Sequence, residues 1–155
     1  MFRSRLIPTL ILLTSPLATS AKAQTVHETI DGPVSAEIIR VVDGDTILVE
    51  AMPWPQQTIE VYVRLRGIDA PELHSKCEEV RAAALKAQEA LEAIMPATGE
   101  IELTRISGDK YFGRILADVT TKDGRNPAHD LLQEGYAVSY NGGRKPVQPC
   151  GSDSD

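Results

Sequence analysis

Two arginines and two carboxylates crowd one ten-residue stretch, Val63-Arg64-Leu65-Arg66-Gly67-Ile68-Asp69-Ala70-Pro71-Glu72. Guanidinium forks grip phosphate oxygens, one carboxylate can hold a hard cation, and another can take a proton from water. Together these are the parts of a phosphodiester-cleaving site. Val63 and Leu65 alternate with Arg64 and Arg66, as in a half-buried β-strand, which puts two guanidinium groups on one face. Gly67 loosens the pattern and Pro71 removes a backbone donor, so the strand must end here. Asp69 and Glu72 are thereby delivered at and just beyond the strand end. Without chemistry, the same residues read as a strand with solvated charges and a proline-ended turn.

A third carboxylate comes from further up the chain. Ile38, Ile39, Val41 and Val42 are β-branched and strand-like. Asp43-Gly44 follows as a favoured two-residue hairpin turn, and Asp45-Thr46-Ile47-Leu48-Val49 returns as the second strand. Turn chemistry alone accounts for Asp43-Gly44-Asp45. Asp45, however, starts its strand beside the place where the third strand, Thr58 to Leu65, delivers Asp69. Two carboxylates from separate strands suit Ca²⁺, which takes several oxygens in irregular geometry.

The remaining elements supply a frame. Met52-Pro53-Trp54-Pro55 reads as a loop. Ser75 and Glu78 have the spacing of a capping box, and Val80, Ala84, Ala87, Leu91 and Ile94 form one apolar helical face. That helix should stop near Met95-Pro96. Ile101–Arg105 alternates as a fourth strand and Arg114–Val119 as a fifth, with Arg114 at its mouth. Asn126-Pro127 opens a second helix and Gly135 ends it. Five strands with two main helices describe an α+β, mainly β protein. A small closed barrel of the OB type is one architecture compatible with that order.

Length and composition bound the rest. The start, Met1-Phe2-Arg3-Ser4-Arg5, an apolar run from Leu6 to Leu17 and Ala21-Lys22-Ala23 describe a signal peptide over 1–23, cleaved after Ala23. Residues 24–35 then read as a flexible lead-in, 36–150 as one domain and 151–155 as a disordered tail. The remaining 132 residues carry 13 basic against 22 acidic side chains, a charge of −9. This is the wrong sign for nonspecific attraction to phosphate, so a nucleic-acid site must be local. Two cysteines, Cys77 and Cys150, in an exported chain favour one disulfide. On the chain-entropy view such a bond stabilises by roughly 4 kcal/mol.

Three blocks carry a family resemblance. Val41-Val42-Asp43-Gly44-Asp45-Thr46, the Val63–Glu72 stretch, and Asp109-Lys110-Tyr111-Phe112-Gly113-Arg114-Ile115-Leu116-Ala117 stand in the order and spacing of the staphylococcal nuclease (thermonuclease) family. With Gly135-Tyr136-Ala137, the resemblance runs from about Ile38 to Tyr140. Cys77 and the close of the chain, Gly142-Gly143-Arg144 through Pro149-Cys150, are similar to exported bacterial members with one disulfide. The resemblance implies an OB-fold barrel and Ca²⁺-dependent hydrolysis of DNA and RNA. It assigns Asp45 and Asp69 to calcium, with Ala70 contributing a backbone carbonyl. Glu72 is then the general base, and Arg64 and Arg114 hold the phosphate. Phe112 is an extra residue within the family's Tyr-Gly-Arg, which leaves Tyr111 or Phe112 in the tyrosine's substrate-contacting role. Tyr136 and Tyr140 are further candidates to stack on a base.

These observations lead to one expectation: an exported, periplasmic or secreted Ca²⁺-dependent nuclease. It would act as a monomer on DNA or RNA, preferably single-stranded, with no stable membrane association after leader cleavage. The alternative is a catalytically silent OB-fold module that binds nucleic acid or a protein.

Overall fold

The computed structural model describes residues 29–96, 99–145 and 150. The expected signal peptide, residues 24–28 of the lead-in and the tail from 151 lie outside them. The described chain contains strands β1 (Thr29–Ile30), β2 (Val34–Asp43), β3 (Thr46–Trp54), β4 (Gln57–Leu65) and β5 (Ile68–Asp69), and then helix α1 (Glu78–Ile94). Strands β6 (Glu100–Gly108) and β7 (Arg114–Thr121), helix α2 (Pro127–Gln133) and β8 (Val138–Ser139) complete it.

Five long strands close on themselves. β2 lies antiparallel between β3 and β6, β3 pairs with β4, β4 runs parallel to β7, and β7 returns antiparallel to β6. The result is an OB-like barrel with two helices, as the resemblance implied and the strand count allowed. Inward residues alternate along the strands: Ile47, Val49, Val63, Leu65, Leu103 and Ala117 are all inaccessible to solvent. Val80, Ala84, Ala87, Leu91 and Ile94 are the buried residues of α1, the same five that share the apolar periodicity. Ala87, Leu91 and Ile94 join the barrel core. Burial of each large aliphatic side chain contributes about 1.5–3 kcal/mol.

Local expectations shift in four places. The lead-in is not free up to residue 35, because Thr29 and Ile30 pair with Ser107 and Ile106, and β2 already begins at Val34. The Met52–Trp54 segment continues β3, with Trp54 opposite Gln57, so the turn is Pro55-Gln56. Here cross-strand pairing overrides the proline signal. The capping box does not form: Cys77 is the N-cap of α1 without a side-chain bond, and Ser75 Oγ instead accepts from the Cys77 N–H at 3.2 Å.

The first hairpin turn is displaced by one residue. Asp43 lies opposite Thr46, so Gly44-Asp45 is the turn. Gly44 is needed here for space: a Cβ on it would stand 2.6 Å from the Ala87 Cβ and 2.8 Å from the Ala70 Cβ. The turn therefore packs flush on α1 and carries Asp45 inward. At the far end of the same hairpin, Glu100, Glu37, Glu50 and Glu60 lie directly opposite one another across β6, β2, β3 and β4. All four are exposed. Like charges so paired destabilise a sheet.

Gly44→Ala should cost about 1–3 kcal/mol by overpacking against α1 and Ala70. Thermal unfolding checks this, and an unaltered melting temperature would show that the turn has room to move.

Candidate active site

Asp45 from the β2–β3 turn, Arg64 from β4 and Asp69 from β5 meet beneath one end of the barrel. All three are buried, with 7 %, 8 % and 2 % of their surface exposed. Arg64 Nη2 donates to Asp45 Oδ2 and to Asp69 Oδ1, each at 2.8 Å. Two bonds from one nitrogen draw the two carboxylates together. The remaining Asp45 oxygen accepts from Thr46 Oγ1 at 2.8 Å, and the Ala70 N–H reaches Asp45 Oδ2 at 3.3 Å.

Burial pushes the Asp45 carboxyl up to about 6; Arg64 opposes that rise and the neighbouring Asp43 adds to it. This is a carboxylate that gains from acquiring a positive partner. Asp45 and Asp69 offer carboxylate oxygens, the donor type a hard cation such as Ca²⁺ takes. Among the described residues, the one trio of acidic, histidine or cysteine donor atoms within 4.8 Å of one another is Cys77, Glu79 and Cys150. Its sulfurs are joined in the disulfide, leaving no thiolate for a metal.

Above this pair opens a cleft of about 690 Å³. Asp45, Arg64, Ala70, Glu72, Tyr111, Arg114 and Tyr140 all line it, whereas Asp69 lies behind the wall at 2 % exposure. Arg114 enters from the first position of β7. Its Nε donates to Asp109 Oδ2 at 2.5 Å, and its guanidinium carbon stacks 4.8 Å from the centre of the Tyr111 ring. Burial works against the Asp109 carboxylate, but the Lys110 N–H and Arg114 hold it below its ordinary range. The intervening residues turn tightly, with the Arg114 N–H on the Tyr111 carbonyl at 3.2 Å and Gly113 at a φ of 83°. The extra residue is absorbed in this turn. Tyr111 lines the cleft, whereas Phe112 is fully exposed and does not.

The tyrosines of the last segment divide in the same way. Tyr140 stacks on Arg64 at 5.4 Å and is fixed by its N–H bond to the Gly67 carbonyl, 2.9 Å. The pairing of β5 with β8 holds that segment in register. Tyr136 instead packs on the barrel core, so its place is structural and not on the cleft. Arg66, expected beside Arg64 as a second phosphate fork, has a different occupation. Its Nη2 bonds the Arg105 and Leu116 carbonyls, the latter at 3.0 Å, and Ser107 Oγ at 2.9 Å, lacing β4 to β6 and β7.

One cleft residue was not anticipated. Lys145 Nζ bonds Asp69 Oδ1 at 2.9 Å and also Glu72 Oε1. Burial depresses the ammonium, but the bonds to Glu72 and Asp69 outweigh it and raise its pKa. Its only signal in the sequence was numerical: Lys145 stands five residues before Cys150, as Glu72 stands five before Cys77. The disulfide joins those two cysteines, with Cα atoms 5.6 Å apart.

The family model described as staphylococcal nuclease homologue matches residues 62–150, more than half of the chain. The chain belongs to that family. No curated protein matches it. Membership carries a nuclease-type or OB-fold nucleic-acid-binding function. The matched residues include Arg64, Asp69, Glu72, Arg114 and Lys145. Asp45 precedes them and joins the site through its bond to Arg64.

Asp45 also makes stability depend on pH. Its folded pKa of about 6 lies above the ordinary 3.8, so its contribution is complete below about pH 4 and lost as the pH rises through 6. Asp45→Asn should therefore stabilise the metal-free protein by about 2 kcal/mol above pH 7 and by little at pH 4. Melting curves at the two pH values check it; an equal effect at both would rule out the buried charge as the cause.

Proposed function

We propose that the chain is a Ca²⁺-dependent nuclease that hydrolyses phosphodiester bonds of DNA or RNA, with single strands preferred. The observation carrying this reading is the Arg64 bridge between Asp45 and Asp69 at the floor of a cleft that Glu72 and Arg114 also line. Asp45, Asp69 and the Ala70 carbonyl would hold the ion. Bound calcium would supply positive charge to the phosphate and orient the attacking water.

The protein's own groups do the remaining work. Arg64 is anchored through Nη2, which leaves its other N–H groups for a phosphate oxygen. Arg114, braced by Asp109 and Tyr111, offers a second fork from the neighbouring strand β7. Charge that develops on the equatorial oxygens meets both guanidinium groups. Glu72, 59 % exposed in its side chain, is accessible to take the proton of the attacking water. Tyr111 and Tyr140 present ring faces at the rim, suited to a splayed-out base and hence to single strands. Phe112, on the exposed tip beside Tyr111, is a further stacking surface.

The disulfide supports an exported protein, periplasmic or secreted, delivered by the leader over 1–23. Among the described residues, no helix is long and apolar enough to cross a membrane. The monomer is the acting unit in this reading. The competing reading, a silent OB-fold binding module, draws on the pairing of Glu72 with Lys145, which occupies the proposed base.

Purified, oxidised protein should cleave single-stranded DNA with Ca²⁺ and not with chelator. Glu72→Gln should lower turnover about 10²–10⁴-fold with DNA binding retained. Arg114→Ala should lower it about 10²–10³-fold. DNA binding without cleavage by the wild-type protein would establish the silent module.

A further inference from the structure

We propose that Lys145 is a built-in counter-cation, presented by the Cys77–Cys150 bond, which calcium must displace before the site can act. The inference rests on the calcium-dependent reading above and concerns how that site is held without metal. Lys145 Nζ binds Asp69 Oδ1 at 2.9 Å and Glu72 Oε1, so one ammonium bridges a proposed calcium ligand and the proposed base. Asp69 Oδ1 already accepts from Arg64 Nη2 at 2.8 Å. With both cations on it, the two lone pairs of this oxygen are taken, and a metal ion on the other carboxylate oxygen would stand beside both charges. The same ammonium occupies Glu72 Oε1.

The covalent frame explains why the lysine sits there. Glu72 and Lys145 each stand five residues before a half-cystine, on two arms that leave the same disulfide. A tether this short keeps the lysine's effective concentration opposite Glu72 high. The pairing relieves the repulsion between two neighbouring carboxylates in the absence of metal. A divalent cation approaching Asp69 meets a like charge already in residence, and its binding includes the work of expelling it. Lys145, 38 % exposed in its side chain, can swing to solvent when expelled.

The test is calorimetric titration of CaCl₂ into metal-stripped, oxidised protein, with melting curves in parallel. Lys145→Met keeps the apolar stem and removes the charge; Lys145→Arg keeps the charge. Lys145→Met should bind Ca²⁺ about three- to tenfold more tightly than wild type. It should also melt a few degrees lower without metal and gain more on adding it. Lys145→Arg should stay near wild type in both. The double variant Cys77→Ser, Cys150→Ser should bind Ca²⁺ as Lys145→Met does; wild-type affinity there would overturn the role given to the disulfide. Unchanged or weaker Ca²⁺ affinity in Lys145→Met would overturn the counter-cation while leaving the calcium reading intact. No heat and no melting shift with Ca²⁺ in any of these proteins would overturn the calcium reading itself.

Discussion

A single nitrogen, Arg64 Nη2, holds two carboxylates that would otherwise repel each other in a buried pocket. The arrangement around it follows from that constraint. An unpaired buried charge is destabilising by several kcal/mol, and Arg64 offsets that cost for both aspartates, with Lys145 also pairing Asp69. Arg64 in turn can reach both because β3 and β4 pair with Thr46 opposite Arg64, setting the turn that bears Asp45 alongside it. The backbone repeats the arrangement: the Leu65 N–H bonds the Asp45 carbonyl at 2.8 Å.

Access to this cluster is shaped by side chains that are each restrained from behind. Tyr140 lies over Arg64 because β8 pairs with β5. Tyr111 and Asp109 hold Arg114 from two directions. Arg66 also lines the cleft, but its guanidinium fastens neighbouring strands, although it stands two residues from the arginine that pairs with the aspartates. The division between the two arginines is one of reach: Arg64 lies between side chains with no solvent exposure, and Arg66 lies at the strand's exit, where carbonyls of neighbouring strands need donors.

Much of this was legible in the sequence, and the exceptions have physical causes. The apolar face of α1 was readable to the residue because helical periodicity and burial coincide over 17 residues. The proline and glycine after Arg66 likewise marked the end of β4; five strands were compatible with a closed barrel, and the family resemblance supplied the OB type. The first turn was displaced by one residue because close packing of Gly44 on Ala87, a contact 43 positions away, selects the register. The capping box failed because Ser75 Oγ accepts from the Cys77 N–H and the helix begins two residues later than the box requires. Lys145 was hidden because nothing local marks it; its partners are 76 and 73 residues distant and meet it only through the folded chain. Tyr136 and Tyr140 are four residues apart and alike in type, and only the β5–β8 pairing separates core from cleft.

The row of glutamates on the barrel gives the acidic surplus an address. Glu37 and Glu50 lie six or so residues along β2 and β3 from the turn that bears Asp45, about 20 Å at strand rise. Arg64, Arg66 and Arg114 line the cleft beside Asp43, Asp45, Glu72 and Asp109, so the two ends differ in kind: one is a row of like charges and the other a mixed set. A polyanion is repelled along the glutamate row, and that repulsion reaches about one Debye length, about 10 Å at 0.1 M salt.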